Sequence, residues 1–119
     1  MEEARIAYTI IPPGGALSAN MVAKFKLPFG FMPTHVSAVG SNANDATIKI
    51  GTSSSDAACM AAKAVGDSGT PAEYDSSDFA DSDYQFAKGD VMCVTIDYDG
   101  ASGTAVQDLC VVITGLTGA

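Results

Sequence analysis

The sequence has no tryptophan, a single histidine and three cysteines, and only 17% of its 119 residues are charged. Each scarcity removes a class of function. With His35 as the only imidazole, neither a Ser-His-Asp nor a Cys-His catalytic set can be assembled by any spacing argument. Cys59, Cys93 and Cys110 are too few and too widely spaced for a disulfide framework or a zinc pattern. They read as reduced, small apolar side chains. Positive charge is also scarce: six Lys+Arg stand against fourteen Asp+Glu, a net charge of −8, and Lys24 and Lys26 are the closest basic pair. Nucleic-acid binding needs a positive footprint that displaces counterions, so nucleic acid is not an expected partner, and neither is an anionic membrane. No apolar run approaches the ~18 residues of a membrane-crossing helix. The opening Met1-Glu2-Glu3 is acidic where a secretory signal is basic, so an unprocessed product of a reducing cytoplasm is expected. No glycine cluster leads into a helix with a lysine, as a phosphate-binding loop would. No catalytic, cofactor or metal site is expected, and the chain reads as a non-enzyme.

What is present points to strands. Apolar residues make up 47%, which is too apolar for a disordered chain, and twelve glycines sit among many Ser, Thr, Asp and Ala. The length suits one domain, residues 1–119, with a short N-terminal arm. Strands are expected over 4–11, 20–27, 34–40, 46–51, 91–98 and 105–114, with short extended pieces at 72–74 and 84–86. The clearest alternates Met21, Ala23, Phe25 and Leu27 on one face with Val22, Lys24 and Lys26 on the other. The alanine-rich segment 56–65 suits either a helical turn or a strand, and its neighbours favour a strand. About eight short strands without βα alternation indicate an antiparallel, jelly-roll-like β-sandwich.

The last two strands read as a hairpin. A turn centred between Ala101 and Ser102 sets Val94 opposite Leu109 and Met92 opposite Val111. Met92, Val94, Ile96, Leu109 and Val111 then share the core face. The same register sets Cys93 opposite Cys110, with Val91 and Val112 on their face, and leaves a cross-strand disulfide open. That second face is apolar for a solvent face. It is expected to lie either under another subunit or layer, or mid-sheet beneath a loop.

Two other segments stand out. Asp75, Asp78, Asp81 and Asp83 fall close together, and Asp97 and Asp99 flank Tyr98. Such loops offer oxygen ligands for calcium, but the EF-hand spacing is absent, and a solvated acidic loop is the plainer reading. The segment 25–33 is rich in aromatics and reads as strand-corner packing; joint exposure of Phe29, Phe31 and Met32 would instead mark an interaction patch.

The phrases Phe25-Lys26-Leu27-Pro28, His35-Val36-Ser37-Ala38-Val39-Gly40 and Lys88-Gly89-Asp90-Val91 stand in an acidic, Ala/Gly/Ser/Thr-rich chain. Together they resemble the small jelly-roll decoration (cement) proteins of tailed bacteriophage heads. The resemblance implies a virion structural protein, made in the host cytoplasm, that binds the major capsid protein on the outer capsid surface. It also implies a homotrimer seated on capsid lattice points. It supplies no functional residue one by one. The residues themselves nominate Met1, Glu2, Glu3 and Arg5 for capsid contact, and Val91, Cys93, Cys110 and Val112 for the subunit interface. The other reading is a ligand-binding sandwich for carbohydrate or host-surface adhesion, calcium-dependent if the acidic loops bind the ion. Tyr74, Tyr84 and Tyr98 would then stack on sugars.

Overall fold

The structure is a computed structural model and describes residues 4–118. Period-two alternation puts every second side chain of a strand on one face, so each strand can bury only half of itself. Eight strands solve this in two layers: β1 (Arg5–Ile10), β2 (Met21–Lys26), β3 (Gly30–Val39), β4 (Thr47–Thr52), β5 (Met60–Ala64), β6 (Ala72–Asp75), β7 (Val91–Asp97) and β8 (Cys110–Gly118). One sheet runs β1-β8-β3-β6 and the other β2-β7-β4-β5, with every pairing antiparallel. Only β4 and β5 are both consecutive and paired; every other connection crosses between sheets. This is the order of a jelly-roll sandwich.

The core lies between the sheets. Val36 and Ala38 from β3, Ile48 and Ile50 from β4, Met92, Val94 and Ile96 from β7, and Val111 and Ile113 from β8 are all fully buried. Each large side chain here contributes about 1.5–3 kcal/mol relative to exposure. Phe31 and Phe86 close one end of this layer, with Phe31 edge-on to Tyr8 at 5.1 Å between ring centroids. Gly115 permits that packing: a Cβ there would lie 2.3 Å from the Met32 carbonyl oxygen and 2.6 Å from the Phe31 ring.

Three expectations are corrected. β7 and β8 do not form a hairpin. β7 pairs with β2 and β4, while β8 pairs with β1 and β3 in the opposite sheet. The expected core set is buried, but from both sheets rather than by cross-strand pairing. Cys93 therefore lies beside Lys24 and Gly51, and Cys110 beside Val39. All three cysteines are free. Second, β3 begins at Gly30 and runs through Pro33. A bulge between Pro33 and His35 shifts the register there, which is where a strand tolerates a proline. Third, of segment 56–65 only Met60–Ala64 is strand, and a turn precedes it.

Candidate interaction surfaces

The two outer faces of the sandwich are built differently. On the β1-β8-β3-β6 sheet the register brings Thr9, Val112 and Ser37 into one row and Cys110 beside Val39. Ile11 follows β1 directly and is 68% exposed, and Cys110, Val112 and Val39 are half-buried. The centre of the face carries mostly small, uncharged side chains, with His35 exposed on β3. Its charges lie at the margin, in Arg5 on β1 and in Glu73 and Asp75 on β6.

The β2-β7-β4-β5 sheet carries Lys24 and Lys26 on its outer face, exposed on the edge strand β2, and Lys49 on β4. Part of this face is covered by the chain itself. A Cβ on Gly51 would lie 2.2 Å from the Ser55 carbonyl oxygen, so residues 52–56 rest directly on the sheet. The loop is held by Thr52 N–H donating to the Ser55 carbonyl at 2.8 Å and by a Lys49–Asp56 ion pair at 2.9 Å. Cys93 points outward by parity, yet the cover leaves it 2% exposed. A cleft of about 240 Å³ opens above it between Lys24, Thr52, Asp56 and Thr95.

The four interface candidates therefore do not share a surface. Val91 and Cys93 belong to the lysine-bearing sheet, and Cys110 and Val112 to the small-residue sheet. Arg5 opens β1 and pairs with Leu116. Met1, Glu2 and Glu3 lie outside the described residues. In the segment 25–33, Phe31 is 1% exposed and Phe29 and Met32 are half-buried, so no aromatic patch forms.

The acidic residues are engaged in turns. Asp75 caps the short 3-10 turn Ser76–Asp78: its carboxylate accepts from Ser77, while Asp78 accepts from the Asp75 N–H at 3.0 Å. The Ser77 hydroxyl and N–H hold the Asp75 carboxyl below its usual range. Asp81 accepts from the Asp83 N–H at 3.0 Å, and Asp97 from the Asp99 N–H at 3.1 Å. Among the described residues, no three His, Cys, Asp or Glu side chains gather where a metal ion would be held. His35 is half-exposed on β3 with Glu73 at 3.9 Å. The Cys59 thiol is fully buried, and burial pushes its pKa up to about 12, so it stays protonated and inert.

One end of the sandwich is cross-braced by polar contacts. Asp108 accepts from the Gly15 N–H and the Ser41 hydroxyl, both at 2.8 Å, and these two bonds depress its pKa. Asn42 donates to the Ala105 carbonyl and accepts from the Gln107 N–H, and Asp45 accepts from the Thr104 N–H at 2.7 Å. The connections after β1, β3 and β7 are thereby locked together.

Family models and curated proteins give no match to the sequence. Among solved structures, the fold is similar to a chain of the capsid asymmetric unit of cyanophage Pam1. The TM-score is 0.62 and the identity 13%, over 97% of this chain and 83% of that one. A chain of Desmodium yellow mottle tymovirus also aligns, over 98% of this chain and 85% of that one, at 6% identity and a TM-score of 0.45. Within this sandwich, sequence reasoning missed the 52–56 cover and the exposed Ile11. The only signal for the cover was Gly51, a glycine inside a strand pattern, which marks close backbone approach.

Proposed function

We propose that this chain is a virion structural protein that decorates the phage head, self-associating as a homotrimer and binding the major capsid protein on the outer capsid surface. The observation that carries the reading is the jelly-roll order itself, in the company of a capsid chain that shares the fold over nearly the whole length. The surfaces agree with it. A face of mostly small side chains with Ile11, Cys110 and Val112 suits docking on a broad protein surface, where buried area rather than a pocket gives affinity. Val112 and Cys110 on that face, with Met1, Glu2, Glu3 and the neighbouring Arg5, are assigned to capsid contact. Cys93 is withdrawn from the contact because the chain's own loop covers it. Binding only to the assembled head stabilises that state by mass action, and many copies add avidity. The competing adhesion or carbohydrate reading, calcium-dependent or not, loses its main support, because the acidic side chains serve turns rather than a shared ion site.

The test is co-sedimentation of the purified chain with heads assembled without it, followed by thermal disruption of those heads. Saturable binding with a raised disruption temperature is expected. Heads that neither bind the folded chain nor gain heat resistance overturn the reading.

A further inference from the structure

The charges of this acidic protein are unevenly placed along the chain, although Asp90 lies beside the lysines, where its carboxylate accepts from the Ala87 N–H at 2.8 Å, and Lys63 lies on β5. No Lys or Arg occurs from residue 64 to residue 87, a stretch holding Asp67, Glu73, Asp75, Asp78, Asp81 and Asp83. Its later part forms one corner of the sandwich. β6 is the outermost strand of its sheet, and Tyr74 donates to the Ala64 carbonyl of β5, the outermost strand of the other. The Ala80 N–H donates to the Cys59 carbonyl at 2.8 Å, which pins the acidic turns to the same side. The chain then crosses that end of the sandwich. Phe86 bridges to Phe31 on β3, and residues 89–90 reach Leu27 just beyond β2: the Leu27 N–H donates to the Asp90 carbonyl and the Gly89 N–H to the Leu27 carbonyl, both at 2.8 Å.

This delivers Lys88 to the opposite corner. Gly89 has φ +89, and a Cβ there would lie 4.0 Å from Lys26 Cε. Lys24, Lys26 and Lys88 are all exposed, and none makes an ion pair among the described residues; the two pairs found there are Lys49–Asp56 and His35–Glu73. Half-buried Val91 sits beside Lys26 in the register, and Val22, next to Lys24 on the same face, is 50% exposed. The lysine corner and the acidic corner are separated by the width of a four-stranded sheet, about 14 Å at ~4.8 Å per strand. That exceeds the ~8 Å Debye length at physiological salt, so within one molecule the corners barely feel each other.

We propose that a second copy of this chain docks its acidic corner, Asp78 to Asp83, on the lysine corner formed by Lys24, Lys26, Lys88 and Val91. The inference rests on the self-association proposed above and names its contact. A net charge of −8 makes copies repel in most orientations, and acid-to-lysine approach is the orientation in which they attract. The two corners are different patches, so the contact is head-to-tail. Such contacts close into a ring when the rotation between copies permits. The acidic corner is fixed before docking, because the reciprocal Asp75–Asp78 cap and the Ala80–Cys59 bond hold its turns.

Light scattering on the full chain tests this. Wild type is expected to assemble in about 20 mM salt and to weaken at about 500 mM, where the Debye length shortens. Lys24→Glu/Lys26→Glu and Asp81→Lys/Asp83→Lys, each checked for an unchanged melting curve, should each self-associate at least about tenfold more weakly. Mixing the two variants should restore association into alternating pairs, since each supplies the complement that the other lacks, while a three-membered ring would keep one same-variant contact. Wild-type oligomers indifferent to salt and to both reversals, or a mixture that stays monomeric, overturn the corner contact alone. A wild type that is monomeric in solution and on heads overturns self-association itself.

Discussion

The two outer faces of this sandwich come from strands of similar length and alternation, yet one is wet and charged and the other is small and bare. On the β2-β7-β4-β5 face, Gly51 lets residues 52–56 settle on the sheet, and Lys24 and Lys26 stand exposed on its edge strand. On the β1-β8-β3-β6 face Thr9 is exposed, Val112 and Ser37 are half-buried, and Ile11, just past β1, is 68% exposed. A jelly roll needs one buried face per sheet for its stability. What happens on the outer faces is free to serve partners, and here the two have diverged: one protects itself, and the other is available for covering by another protein.

The largest effect is expected from Gly51→Ala. The new methyl has no room beneath Ser55 and Asp56, so the cover must lift, at a cost of about 1–3 kcal/mol in melting stability. Thiol labelling followed by mass spectrometry reads the same event. In the wild type Cys110 reacts first and Cys59 last; in the variant Cys93 joins Cys110. Unchanged Cys93 labelling would mean that the loop does not shield it.

On the bare face, Val112→Thr should leave the isolated chain within about 0.5 kcal/mol of wild type, since the position is half-buried on a strand that threonine also suits. Head binding should nonetheless weaken about tenfold. Equal binding by both proteins in a sedimentation titration would remove this face from the capsid contact.

The braced end gives a pH signature. The Asp108 carboxyl is held below its unfolded value of 3.8 by the Gly15 N–H and the Ser41 hydroxyl. Its contribution to stability is therefore full above that value and is lost as pH falls through the depressed folded pKa. Melting temperature should drop more steeply for wild type than for Asp108→Asn as pH is lowered from about 5 to about 2. Parallel curves would show that the brace carries no linkage. The smallest effect belongs to Lys49→Ala. Its ion pair with Asp56 is partly exposed, and removing it should cost about 0–1 kcal/mol, seen as a small increase in Cys93 labelling without loss of fold.

The alternation of Met21 through Leu27, of Val36 and Ala38, and of Ile48 and Ile50 was readable because period-two burial is a local property of each strand. Partner choice was not. β7 and β8 alternate equally well in either sheet, so adjacency in the chain favoured a hairpin that the fold does not make. The segment between them, residues 98–109, is longer than ordinary hairpin loops, and it spans the end of the sandwich instead. The same mistake merged two surfaces into one by placing Cys93 beside Cys110. The lysine corner was hidden for a related reason: Lys26 and Lys88 are distant in sequence and meet only because the 76–90 segment crosses the end of the sandwich.

The central claim is that this protein is a structural part of a virion, and the direct measurement is quantitative mass spectrometry of purified particles combined with antibody labelling of intact heads. The account predicts many copies per particle and surface labelling without disruption. Particles free of the chain, or heads labelled only after they are broken open, would contradict it.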